Sequence, residues 1–196
     1  ERVSLLLEEP ELLEALYSET DLQLYYYYLG SCEFFVEKNH VTALQSLRKG
    51  LSYTYNQDKQ FVSTIEVQML SCIGYVLKES GQREKALVEL KKSYDFAEKL
   101  PYERKIFELA KVYYHYGEFL FEEKDYKEAF IVVARGLSFV RQFCSYYYLL
   151  ELTDLNGKIL QKLGKKELAL PFLSLAEYIK NLDFVKSFDS LDFENE

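Results

Sequence analysis

The sequence predicts an all-α fold: a solenoid of about four long helical hairpins with terminal capping helices. Three observations predict it. Landmark residues recur at fixed spacing, since Gly74 is followed by Gly81 seven residues later, Ala86 twelve later, Leu90 sixteen later and Ser93 nineteen later. The same series runs from Gly117 (Ala129, Val133, Gly136), from Gly157 (Gly164, Ala169, Leu173, Ala176) and, with one extra residue in the turn, from Gly30 (Ala43, Leu47, Gly50). All eight glycines fall on three repeat-phased positions. Hydrophobic residues make up 48 % of the 196 and only three are proline, which supplies a substantial core and few helix breakers. Between the landmarks lie short polar reversals, EKNH, ESGQ, EKDY and KLGK, where Gly, Asn or Asp can end one helix before the next begins.

The residue types fit two closely packed antiparallel helices. A Gly in mid-helix is worse than Ala by about 1 kcal/mol and must be compensated by close helix approach. The Ala twelve residues on is expected to face that Gly, and the small residue nineteen on lets the next hairpin stack. The Gly-to-Gly intervals of 44, 43 and 40 residues imply hairpins longer than the minimal one.

In chain order, residues 1–19 read as a capping or linker element, with a short amphipathic helix from Pro10 to Tyr17. Thr20 and Asp21 can cap the next helix, which carries Tyr25 to Tyr28, Gly30, Phe34 and Phe35. Helices are expected over 41–55, 58–79, 82–99, 102–124, 126–144, 146–163 and 166–181, completing four hairpins across 20–181 within a single domain of 1–196. Pro10 and Pro101 suit first turns of helices. Pro171 falls inside the last helix and predicts a kink or a late start. The tail 182–196 keeps Phe184, Val185, Phe188, Leu191 and Phe193 among acidic residues and suits a terminal cap with a polar outer face.

The landmarks Tyr113, Tyr116, Gly117, Leu120, Ala129, Val133 and Gly136 resemble, in order, those of the tetratricopeptide repeat; Gly74, Leu77, Ala86 and Leu90, and Gly157, Leu160, Ala169, Leu173 and Ala176, match nearly as well. The resemblance covers about residues 20–181 and implies a right-handed α-α superhelix.

Other classes find little support. The net charge of −8 argues against a general basic field for nucleic acid. No run of about 18 apolar residues and no signal-peptide pattern is present, which predicts a cytoplasmic protein without a membrane partner. Cys32, Cys72 and Cys144 are odd in number and scattered, as expected of buried reduced thiols. His40 and His115 lack a partner at any motif spacing, and neither HExxH, CxxC nor a phosphate loop occurs. No enzyme, metal or cofactor is expected.

The informative surface is the inner groove, lined by the first helix of each hairpin. Residues six before, three before, one after and four after each landmark Gly share that face. They are Leu24, Tyr27, Ser31 and Phe34 in the first hairpin; Gln68, Ser71, Tyr75 and Lys78 in the second; Lys111, Tyr114, Glu118 and Phe121 in the third; and Glu151, Asp154, Lys158 and Gln161 in the fourth. Amides, hydroxyls, both charge signs and aromatic rings suit a short oligopeptide or a protein segment. Tyrosine is abundant at 18 of 196, and the runs Tyr25 to Tyr28 and Tyr146 to Tyr148 must each expose a ring, because consecutive helix positions cannot all face a core. Chaperone-docking repeats clamp a terminal carboxylate with Lys, Asn and Arg, but the matching places here hold Ser71 with Tyr75 and Tyr114 with Glu118, so that use is disfavoured.

The repeat length and the Tyr-, Phe- and Lys-rich helices resemble the regulatory domain of bacterial peptide-sensing regulators of the PlcR and Rgg type. That resemblance implies a signalling peptide in the groove, a homodimer, and DNA contact only through an N-terminal helix-turn-helix domain outside this chain, which begins at Glu1 without a Met. It also implies that the bound peptide changes the pitch of the array. Two alternatives stay open: a protein-interaction scaffold, and a peptide-responsive regulator of a phosphorelay.

Overall fold

A computed structural model describes residues 15–56 and 61–181, together with Leu7, Leu12, Leu13 and Lys59. Of the capping helix expected from Pro10 to Tyr17, Leu12 and Leu13 are helical but Ala15 to Tyr17 are turn and coil; Pro10, Glu11 and Glu14, and the whole expected cap at 182–196, lie outside the described residues. Among the described residues there are eight α-helices and no strands: α1 (Glu19–Phe35), α2 (His40–Thr54), α3 (Thr64–Glu79), α4 (Arg83–Lys99), α5 (Ala110–Glu122), α6 (Tyr126–Gln142), α7 (Leu149–Lys162) and α8 (Lys166–Asn181). They pair as antiparallel hairpins, α1 with α2, α3 with α4, α5 with α6 and α7 with α8. The second helix of each hairpin packs on the first helix of the next, and α1, α3, α5 and α7 touch in succession. That layering is an all-α solenoid.

The landmark residues form its seam. Ala43, Ala86 and Ala129 are fully buried, as are Leu47, Leu90 and Val133 to within 1 %. The partner of each landmark Gly is the larger residue rather than the Ala expected. A Cβ on Gly74 would lie 2.6 Å from Leu90 Cγ, one on Gly117 2.5 Å from Val133 Cγ2, and one on Gly157 2.6 Å from Leu173 Cδ2. Each Gly is therefore the socket for the side chain sixteen residues on. The small fourth position does admit the next hairpin, since a Cβ on Gly136 would meet Leu152 Cδ2 at 2.9 Å and one on Gly50 would meet Met69 Cε at 2.7 Å.

The reversals share one geometry. Lys38, Gly81, Lys124 and Gly164 all hold left-handed φ between 58° and 79°. In the later three hairpins the next N–H closes back onto the preceding helix, as in Gln82 N to Leu77 O at 2.9 Å and Lys165 N to Leu160 O at 2.9 Å.

Helix starts depart most from expectation, for local reasons. Ser18, not Thr20 or Asp21, caps α1 by accepting from Asp21 N. Helix α3 begins at Thr64 rather than 58, because Ser63 and Glu66 form a reciprocal capping box. The expected helix over 102–124 is broken: 3-10 turns at Tyr102–Arg104 and Phe107–Leu109 precede α5. Helix α7 starts at Leu149, since Tyr148 is left-handed at φ 59°. Pro171 neither delays nor ends α8, which spans it with the proline exposed to solvent. Of the three thiols Cys72 is buried, Cys32 half-buried and Cys144 exposed, so burial holds for only one. Each tyrosine run does expose a ring, Tyr28 at 47 % and Tyr146 at 89 %. Among the described residues no helix is long and apolar enough to cross a membrane, and no cluster of His, Cys, Asp and Glu could hold a metal.

Candidate functional site

The inner face is built by α1, α3, α5 and α7, and its polar side chains divide into a closed part and an open part. In the closed part they bond to one another. Lys111 on α5 is only 3 % exposed; it donates to the Tyr27 hydroxyl on α1, with its Nζ 4.6 Å from the Tyr27 ring centroid. Tyr27 in turn donates to Gln68 Oε1 at 3.4 Å, and Gln68 is itself buried. Burial lowers the pKa of Lys111 and raises that of Tyr27. This contact between α1 and α5 passes over a whole hairpin and closes the inner face at that point.

His115 lies beside this contact and is buried to 1 % exposure. Ser71 Oγ stands 2.9 Å from its Nδ1, the Tyr148 hydroxyl 3.4 Å from Nε2, and the Tyr75 ring stacks on the imidazole at 4.2 Å between centroids. Burial, and after it the charges of Lys111 and Lys78, hold the His115 pKa well below its ordinary value. The native imidazole is thus neutral, whereas the unfolded chain takes up a proton near pH 6.5, so this group contributes stability that is lost as pH falls below that value. Between pH 7.5 and 5.5 the loss should be about 1.4 kcal/mol. Urea midpoints measured across that range for the wild type and His115→Gln should diverge by that amount, and parallel curves would refute the assignment.

The open part lies between α5 and α7. Lys78 anchors one side: its ammonium is 2.5 Å from Glu118, 2.9 Å from Glu122 and 3.0 Å from Glu79. Burial pushes the Lys78 pKa down, but those three carboxylates outweigh it and leave it raised. Tyr114 donates to the other oxygen of Glu118. Opposite, Asp154 pairs with Lys158 at 2.6 Å and, more loosely, with Lys180 at 3.8 Å. Between these walls is a cleft of about 280 Å³ with Phe121, Leu150 and Leu155 as apolar lining and Glu122 and Glu151 at its edge. Ligand pockets commonly hold 300–1,000 Å³ (roughly), so this one suits one or two side chains rather than a whole ligand.

The residues read from the sequence therefore separate. Tyr114, Glu118, Asp154 and Lys158 converge on the cleft, with Phe121 and Glu151 beside them. Gln68, Ser71, Lys78 and Lys111 are buried, which corrects the expectation that they line an open groove; the physical reason is that each is turned onto a neighbouring first helix, Gln68 and Lys111 toward Tyr27 on α1, Ser71 toward His115 on α5 and Lys78 toward Glu118 and Glu122 on α5. Tyr27 and Tyr75 are half-buried within those contacts, and Ser31 donates to the Tyr27 carbonyl of its own helix at 2.7 Å. Glu122 and Lys180 were missed. Glu122 could have been found one helical turn after Glu118, whereas Lys180 belongs to a second helix and carried no signal.

No protein-family model and no characterised protein matches the sequence. Solved structures do. Bacillus thuringiensis PlcR in complex with the peptide PapR7 and DNA superposes with a TM-score of 0.71 at 18 % identity, covering 95 % of this chain and 66 % of that one. The fold is a tetratricopeptide-type solenoid. PlcR in its apo form gives a TM-score of 0.73 at 18 % identity over 95 % and 69 % of the two chains. Aspartyl phosphate phosphatase F from Bacillus subtilis gives 0.70 at 16 % identity over 91 % and 46 %. The chain thus spans about two thirds of PlcR and under half of the phosphatase.

Proposed function

We propose that this chain is the peptide-binding array of a bacterial transcriptional regulator of the PlcR and Rgg type. In this reading a short oligopeptide seats in the inner groove, the array forms a homodimer, and DNA is contacted only by an N-terminal helix-turn-helix domain of the full protein. The observation that carries the reading is the cleft between α5 and α7, where Tyr114, Glu118, Asp154 and Lys158 surround an apolar floor sized for one or two side chains. An extended peptide needs such a pocket to fix its register while backbone groups bond along the groove. The likeness to a peptide-bound regulator supports it.

Ligand seated there touches α5 and α7 together. Any change in their separation is passed to the hairpins on either side, because each unit contacts only its neighbours along most of the array. The closed part, through Tyr27 and Lys111, would carry that change to the first hairpin.

Native mass spectrometry of the protein purified from its own host should show a dimer with a retained oligopeptide. That peptide, resynthesised, should bind Tyr114→Ala and Asp154→Ala about tenfold to a hundredfold more weakly, corresponding to roughly 1.4–2.7 kcal/mol per contact. Exposed Val88→Ala on α4 serves as the unaffected control. Equal affinity for all three variants would remove the cleft from the reading, and a retained folded protein in place of a peptide would favour a scaffold.

A further inference from the structure

The outer face of the last hairpin carries a feature that neither the fold nor the inner cleft uses. Position Gly−1 of the repeat is apolar or aromatic in the first three hairpins, Leu29, Ile73 and Tyr116, but is Asn156 in the fourth. Asn156 is 2 % exposed, and its Oδ1 has no hydrogen-bond partner among the described residues. A buried amide oxygen left in that state loses its hydration without a replacement, which is destabilising unless a donor is brought to it. It forms part of the lining of a furrow of about 370 Å³ between α6 and α8, with Phe130 and Leu137 on one wall and Leu168 and Phe172 on the other. Through Leu137, Arg141 and Phe172 the furrow continues into a second hollow of about 450 Å³ that ends at Leu175 and Tyr146. Leu168, Leu175 and Tyr146 are 58 %, 47 % and 89 % exposed. Among the described residues, Arg141 is the one charged side chain lining either hollow.

We propose that this furrow is the docking site of the chain's own C-terminal segment, residues 182–196, which supplies the missing donor to Asn156. The segment's chemistry is complementary to the furrow. Phe184, Phe188 and Leu191 recur at i, i+4 and i+7, which sets three apolar side chains on one face of a helix. Five acidic residues against a single Lys oppose the lone Arg141. Ser187 and Ser190 add hydroxyl donors between the apolar positions. Reach is sufficient: from the end of α8 at Asn181 back to Leu168 is about 20 Å at 1.5 Å per residue, and fifteen helical residues span about 22 Å. Because the segment is tethered one residue beyond α8, its local concentration at the furrow is on the order of millimolar, and a weak intrinsic affinity is enough. A second copy of the chain would bring the same acidic segment but not the tether, so its docking would depend on protein concentration.

Hydrogen exchange on the full chain tests the proposal. Amides of 130–141 and 168–175 should be protected equally at low and high protein concentration. In the double variant Phe184→Asp, Phe188→Asp they should exchange about tenfold faster, with α3 unchanged and helicity retained by circular dichroism. Protection that survives the double variant overturns the docking, and protection that rises with concentration overturns it in favour of a second copy. Asn156→Leu, which restores the apolar residue type of the other hairpins, should speed exchange of 184–193 several-fold; unchanged or slower exchange there overturns the role of the amide.

Discussion

Glu66→Ala should lower the unfolding free energy by about 3 kcal/mol, a large part of the 5–15 kcal/mol (roughly) that a domain of this kind possesses. Glu66 is fully buried, and both oxygens of its carboxylate are bonded. One oxygen accepts from Lys59 Nζ at 2.6 Å and from the Thr54 hydroxyl at 2.6 Å, and the other accepts from Ser63 N at 2.7 Å. Gln23, also buried, donates to Thr54 Oγ1 at 2.6 Å and so ties α1 into the same network. Truncation leaves a cavity, removes half of the capping box that starts α3, and strips Thr54 of its acceptor. Lys59 is 29 % exposed and can turn to water, which keeps the loss below the 3–5 kcal/mol (roughly) of a pair whose surviving charge stays buried. Glu66→Gln keeps the volume but offers one acceptor oxygen where two are used, and about half the loss is expected. Burial raises the Glu66 pKa, but bonds from Lys59, Thr54 and Ser63 outweigh it and leave it lowered. The contribution is therefore complete above the unfolded carboxyl value near 4.5 and disappears as pH falls through the lower folded value. Chemical denaturation from pH 6 to pH 3 should show a steeper acid loss in the wild type than in Glu66→Gln, and equal slopes would place the network's stability elsewhere.

The same residue shows what a sequence can disclose. Period and spacing revealed every hairpin, because Gly, Ala and Leu at the seam are dictated by helix separation and repeat in each unit. The start of α3 was missed by six residues although Ser63 and Glu66 stand at capping-box spacing, since NQDKQ before them also reads as helix-compatible polar sequence. For the inner face, the helical spacing that groups Tyr114 with Glu118 and Asp154 with Lys158 depends only on α5 and α7, and all four line the cleft between those helices. It could not place Lys111 or Ser71. Their burial depends on how sharply successive hairpins rotate, and that rotation is the sum of many small packing choices rather than a property of any one helix. Lys111 meeting Tyr27, 84 residues away, is the product of that sum.

The rotation rests on the sockets, and Gly74 gives the sharpest test of them. By propensity alone Gly74→Ala should stabilise α3 by about 1 kcal/mol. Its Cβ would stand 2.6 Å from Leu90 Cγ, 2.9 Å from Leu90 Cδ2 and 3.0 Å from Leu90 N. The last is backbone of α4, so rotating the leucine does not relieve the contact; the helices must part, and overpacking of this kind is destabilising by about 1–3 kcal/mol. A net loss of about 2 kcal/mol is expected for Gly74→Ala, and about 4 kcal/mol for Gly74→Val, which adds β-branching within the helix. Gly81, in contrast, has open space within 4 Å of where a methyl would sit and is constrained only by its φ of 79°, so Gly81→Ala should be destabilising by about 1–2 kcal/mol through strain alone. The two glycines are separated by a second substitution. Leu90→Ala removes the knob from the Gly74 socket and should by itself lower stability by about 2–5 kcal/mol. Added to Gly74→Ala it should remove the two shortest contacts, with Leu90 Cγ and Cδ2, and leave only the one with Leu90 N, so the double variant should be more stable than the sum of the single losses by about 1–2 kcal/mol, while Leu90→Ala with Gly81→Ala should be additive. Urea midpoints of the wild type, the single variants and the two double variants decide it: a coupling energy near zero for the Gly74 pair would mean that the sixteen-residue spacing, on which the whole repeat reading depends, marks sequence history and not helix contact.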